Sequence, residues 1–210
     1  MLRLSSWRGI PVRDLYPVAR SALESFINAA YLLAEDVAVA ERAIRHVAFA
    51  SYRQQNRNIG AGRFSIQLSS ELKASSADTV KFEEFKGRNS NWTSLDAVSR
   101  LNRVGELAGN KAGSRFLGAY GVLYAISSEI IHGSPFGVNY FYQAHLPGGA
   151  DVNEFREATG AQVADVLSAL LHGLAGYLAT FFAVQNLKSM SVVEQTLFNK
   201  YLSIEGIAPQ

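Results

Sequence analysis

The stretch SRFLGAYGVLYAISSEIIHGSP, residues 114–135, decides how the chain is read. Phe116, Leu117, Val122, Leu123, Ala125, Ile126, Ile130 and Ile131 show no period-2 alternation. The run is also too long for an ordinary strand, so it predicts a helix from about Ser114 to Ile131. Gly133 and Pro135 follow and should end it. Tyr120, Tyr124, Ser128 and His132 are spaced four apart and share one face of this helix. A polar ladder on an apolar helix must find hydrogen-bond partners wherever it is buried. It therefore reads either as a structural network or as a small polar pocket with His132 at its mouth, where an imidazole can exchange protons near neutral pH.

Outward from this stretch the apolar residues recur at helical spacing almost everywhere, and no convincing strand pattern appears. A first helix is expected from about Asp14 to Leu33, with Pro17 in its first turn and Leu15, Val18, Ala22, Phe26, Ala29 and Leu33 facing inward. Asp36 should cap a second helix running to about Gln55, with Val37, Ala40, Ile44, Val47 and Ser51 inside and Gly60 and Gly62 closing it. Phe64 to Leu72 reads as a short helix or an extended piece. A mobile loop is expected at about 73–92, pinned by Phe82, Phe85 and Trp92. Thr93 or Ser94 should cap a helix to about Leu107, stopped by Gly105, Gly109 and Gly113. Phe136 to Gly149 reads as a Gly/Pro/aromatic loop. A long helix should start at Asp151, with Gly160 a point where it could break, and an amphipathic one spans about Val192 to Leu202. These elements predict an all-α fold, one antiparallel bundle of about five to seven helices over residues 1–210.

Composition agrees. The 210 residues are 48% hydrophobic and include no Cys, which excludes a disulfide scaffold, thiolate zinc sites and a Cys nucleophile. The net charge of +2 is the sum of two unequal parts. Residues 1–115 carry 17 Lys/Arg against 11 Asp/Glu, and residues 116–210 carry 3 against 7. So small a net charge argues for neither a nucleic acid nor a membrane as partner. Arg3, Arg8 and Arg13 interrupt the apolar runs of the N-terminal stretch, which offers no signal-peptide core. Val166 to Leu187 has the length of a membrane span, yet Ser168, His172, Thr180, Gln185 and Asn186 interrupt it. A buried central helix and a cytoplasmic location are expected instead.

On the first helix, Arg20 and Glu24 stand one turn apart. They read as an exposed ion pair on a solvent face with Ser21, Ser25 and Asn28, or as a pair turned towards Tyr124 and His132. Here a resemblance enters. Pro17-Val-Ala-Arg-Ser-Ala-Leu-Glu-Ser-Phe and Tyr124-Ala-Ile-Ser-Ser-Glu-Ile-Ile-His132-Gly-Ser-Pro resemble the two marks of a mainly bacterial helical family of unknown function. Those marks are an early R-x-x-x-E helix and, about one hundred residues later, a Y-x-x-x-S-x-x-x-H helix. The resemblance spans Asp14 to about Pro135. It implies that Arg20, Glu24, Tyr124, Ser128 and His132 share one site, and it brings no known activity. Asp165 and His172, two turns apart on the long helix, are candidates for a second shell around His132.

Other chemistries fit less well. Glu129-Ile-Ile-His132 is one Glu-x-x-His unit where a di-iron bundle uses two. The four histidines, His46, His132, His145 and His172, show no ligand spacing, so no metal and no cofactor are expected. HEPN-type ribonucleases place four to six residues between Arg and His, and Arg42-Ala-Ile-Arg45-His46 departs from that pattern. Arg53, Arg57, Arg63, Arg100, Arg103, Lys111 and Arg115 could offer a basic surface to RNA, without the aromatic interleaving that single strands favour. Three functions stay open: a binding or sensory module for a small ligand or protein partner, a hydrolase of RNA or another phosphate ester using His132 as general acid/base, and a structural protein with a buried polar network. A homodimer through one of the apolar helices is compatible with each.

Overall fold

The structure, a computed structural model, describes residues 10–55, 57–68, 82–87, 90–142 and 152–204. Seven helices and one hairpin occur among them, in the order α1 (Ile10–Ala34), α2 (Val37–Gln55), β1 (Arg57–Ala61), β2 (Phe64–Leu68), a single 3-10 turn (Glu83–Phe85), α3 (Ala97–Ala108), α4 (Asn110–Ile131), α5 (Pro135–Tyr142), α6 (Val152–Val184) and α7 (Lys188–Ile204). The all-α reading holds, with the two-stranded hairpin as its exception. The expected loop at 73–92 lies in part outside the described residues, as does the helix start at Asp151.

The chain falls into two compact units, residues 1–34 with 97–210 and residues 35–96. In the first, α6 packs along α4 and α1, α3 and α4 form an antiparallel pair, and α7 folds back on α6. Its core is built from Val12, Tyr16, Leu23 and Ile27 of α1, Leu101 and Val104 of α3, Phe116 and Leu123 of α4, and Val166 and Ala169 of α6. The expected inward stripe of α1 is thus displaced by one position. Val18 is 65% exposed, while Tyr16, Ala19, Leu23 and Ile27 lie inside. Both stripes are apolar, and the neighbouring helices, not the period, select between them. Pro17 stands inside α1 instead of in its first turn.

Three boundaries also move. α3 begins at Ala97, and the Thr93 hydroxyl accepts a bond from the Leu95 amide ahead of it. Gly105 and Gly113 do not stop helices, since each lies within one and the two backbones touch where α3 crosses α4; Gly109, at φ +103°, makes the break. The expected 136–149 loop opens with a helix, α5, and α6 runs unbroken past Gly160.

In the second unit Asp36 caps α2 as expected, accepting from the Ala38 amide at 2.9 Å. The expected inner residues Val37, Ile44 and Val47 are instead 71%, 71% and 66% exposed. Arg42, His46, Phe49 and Tyr52 take the inner face, because that is where residues 82–85 and 90–92 attach. Phe85 stacks on Phe49 and meets His46 edge-on, each at 5.2 Å, and Phe82 stacks on Tyr52. Arg42 reaches Glu84 and donates to the carbonyls of Trp92 and Asn91, Arg45 donates to Glu84 at 2.6 Å, and His46 Nε2 donates to the Ser90 carbonyl. The Arg42-x-x-Arg45-His46 pattern is therefore a clamp. Gly60 and Gly62 belong to the hairpin, not to a helix cap, with Ile59 paired to Ile66 and Ala61 to Phe64.

Candidate functional site

The end of α4 is shaped by the six residues His132 to Gly137. His132 is the C-cap of the helix, and its amide donates to the Ser128 carbonyl. Gly133 follows at φ +63°, its amide bonding the Ile130 carbonyl, and the Ser134 amide bonds the Glu129 carbonyl at 3.1 Å. This is a Schellman closure, and its left-handed position suits glycine. The Ser134 hydroxyl then accepts from the Gly137 amide and caps α5, with Pro135 at the first helical position, where a missing N–H costs nothing. A Cβ on Gly137 would stand 2.7 Å from the Glu129 carbonyl oxygen, so only glycine lets α5 turn back this closely on α4. The Gly-Ser-Pro-Phe-Gly run thereby sets where the exposed His132 side chain stands.

Across from it lies α1. Arg20 Nε donates to Glu24 Oε1 at 2.8 Å, and its guanidinium carbon stands 4.2 Å over the centre of the Tyr124 ring. Tyr124 in turn stacks on Tyr120 with centroids 4.3 Å apart. Burial works against the Arg20 charge, but the bond to Glu24, the Glu24 carboxylate and Tyr124 outweigh it and raise the guanidinium above its ordinary value. The Arg20 side chain is 17% exposed and that of Glu24 36%, so neither is a plain surface residue. A pocket of about 240 Å³ opens beside the pair, lined by Pro17, Arg20, Ser21, Glu24, Ile131 and His132.

Arg20, Glu24 and His132 are therefore brought to one pocket, and Tyr124 forms the platform under Arg20. Ser128 contributes its backbone to the cap of the helix, and the fully buried hydroxyl one position earlier is Ser127, bonded to the Leu123 carbonyl. Asp165 and His172 are not brought there. Asp165 is exposed on α6. His172 Nδ1 donates to the Ser168 carbonyl, and its ring meets Phe198 and Tyr201 edge-on between α6 and α7. Among the described residues no group of three or more His, Asp and Glu could hold a metal ion.

One polar cluster escapes sequence reading. Arg115, counted above in a basic surface, is 5% exposed and bonds Glu194 of α7, the Ala175 carbonyl of α6 and Gln195, while Phe198 covers its guanidinium at 3.9 Å. Lys111 also reaches Glu194, at 2.8 Å. Burial lowers the Arg115 guanidinium from its ordinary value, against the opposing pull of Glu194. Arg103 pairs with Glu106. The pairing of Arg115 across 79 positions leaves no local spacing to read.

The fold and site define a helical-bundle protein with a small polar pocket between two helices. The chain belongs to a family of unknown function, DUF5677, whose model matches residues 8–149, more than half of its length. The match runs from α1 through α5 and takes in every residue lining the pocket. No curated protein and no solved structure matches the chain.

Proposed function

We propose that this chain is a cytoplasmic binding module whose pocket between α1 and the end of α4 takes a small polar molecule. The observation that carries this reading is the convergence of Arg20 and Glu24 with His132 on one pocket, across more than one hundred positions of sequence. The lining offers a fixed cation, a half-exposed carboxylate, the Ser21 hydroxyl and an imidazole, with Pro17 and Ile131 as apolar walls. A ligand with a donor for Glu24 and an acceptor facing Ser21 or His132 matches this set. A few convergent polar groups in a concave site are what fix ligand orientation. Hydrolysis of a phosphate ester is the alternative: Arg20 bonds Glu24 through Nε and lies over Tyr124, while its Nη1 is buried without a hydrogen-bond partner.

The test is a thermal-shift screen of small polar metabolites on the full chain, repeated with Glu24→Gln and His132→Ala. His132 is exposed, so His132→Ala should hold stability within about 0.5 kcal/mol. A true ligand at one hundred times its Kd stabilises the wild type by about 2.7 kcal/mol, and the variants should lose that gain. No stabilising compound, or compounds that stabilise both variants equally, would remove the reading.

A further inference from the structure

The polar groups of the pocket beside α1 are unevenly engaged. A guanidinium has five N–H donors. In Arg20 the Nε–H is bonded to Glu24 Oε1, while Nη1 is buried without a hydrogen-bond partner. A buried donor that meets no acceptor is a cost native structures rarely carry without a use. Beside it, Glu24 stays half-exposed, and Ser21 and His132 add a hydroxyl and an imidazole to the lining. Apart from His132, Arg20 and Glu24 bring the only ionisable side chains to that lining, and their charges cancel.

That balance narrows the ligand. A molecule with only a negative charge would satisfy Nη1 but stand against the Glu24 carboxylate, and like charges in close quarters oppose binding. One with only a positive charge would suit Glu24 and leave Nη1 unmet. A molecule with both charges satisfies both, provided they lie as close together as their partners, which touch at 2.8 Å. An ammonium and a carboxylate on one carbon meet that condition; the same groups at the two ends of a longer chain do not. Pro17 and Ile131 leave apolar walls for a side chain within about 240 Å³.

We propose that the ligand is a zwitterionic α-amino acid with a small aliphatic side chain, which presupposes that this pocket is a binding site. Its ammonium donates to Glu24, and its carboxylate accepts from Arg20 Nη1 and from Ser21 or His132. The guanidinium slides on the face of Tyr124 to meet it, since a cation over a ring keeps its attraction across the face. The bond to Glu24 and the Tyr124–Tyr120 stack hold both charged partners near their bound places beforehand.

Titration calorimetry on the full chain with glycine, L-alanine, L-valine and L-leucine tests this. At least one should bind at a single site. Its analogue without the ammonium and its analogue without the carboxylate should each bind about tenfold to a hundredfold more weakly, the worth of one charge-assisted hydrogen bond. γ-Aminobutyrate, with its charges set farther apart, should not bind. Glu24→Gln should weaken the amino acid by a similar factor yet leave the carboxylate analogue unweakened, a crossed effect that a merely disturbed pocket does not give. Equal binding of the analogue without the ammonium, binding of γ-aminobutyrate, or tighter binding of inorganic phosphate would overturn the proposal and leave the pocket a binding site. So would the failure of all four amino acids where another compound class stabilises the wild type and not Glu24→Gln. Failure of every compound class removes the binding reading, and the amino acid with it.

Discussion

The guanidinium of Arg20 lies over the Tyr124 ring, 4.2 Å from its centre, and so ties α1 to α4. A half-buried cation–π contact is worth about 1 kcal/mol. Tyr124→Phe keeps the ring and should keep most of that contribution. Tyr124→Leu should lose it and lower Tm by roughly 2–4 °C at this chain size. Differential scanning calorimetry of the two variants checks the contrast, and equal effects would mean that the hydroxyl, not the ring, carries the contact.

Gly137→Ala should destabilise more than its small size suggests. The added methyl meets the Glu129 carbonyl oxygen at 2.7 Å, and backbone cannot step aside as a side chain can. Overpacking of this kind costs about 1–3 kcal/mol. Urea denaturation gives the stability loss. The amide resonances of His132 to Ser134 should shift with it, because the two helices share the closure at Gly133.

Glu194→Gln should be among the most damaging single changes. It leaves Arg115, 5% exposed, without its counter-charge, and breaking a buried pair from one side costs about 3–5 kcal/mol. Replacing both partners, Arg115→Met with Glu194→Leu, should recover most of the loss. A double-mutant cycle in urea measures the coupling, and simple additivity would show that the pair contributes little.

Acid should release Glu84 and the aromatic residues beside it from α2. The bond from Arg45, with the charge and bond of Arg42, holds Glu84 below its ordinary value of 4.5. A depressed carboxylate contributes stability that is complete above the unfolded value and lost as pH falls through the lower folded value. With Trp7 replaced by Phe, Trp92 emission should therefore change in acid below about pH 4.5, and Glu84→Gln should abolish that transition.

The helical character of the chain, the capping of α2 by Asp36 and the end of α4 at Gly133 were legible in the sequence. Each depends on residues within a turn or two of one another. Of the candidate site, the sequence offered Arg20, Glu24 and His132 as residues to consider, and the structure has all three among the lining of one pocket. Less legible was which of two apolar stripes of α1 turns inward, and that the inner face of α2 belongs to Arg42, His46 and Phe49 instead of Ile44 and Val47. A helix with apolar residues on adjacent stripes has no preferred interior until its neighbours arrive. The Arg42–Glu84 and Arg115–Glu194 pairs are farther from local reading still, as each joins residues tens of positions apart.

Periodicity, capping residues and turn glycines act over one or two helical turns, and for that reason the sequence alone determined that this is a helical protein and where most of its helices lie. Burial is decided by what packs on a helix from elsewhere in the chain. Only the tertiary structure could put His132 beside Arg20, send His172 to the α6–α7 seam, and enclose Arg115 with its charge matched.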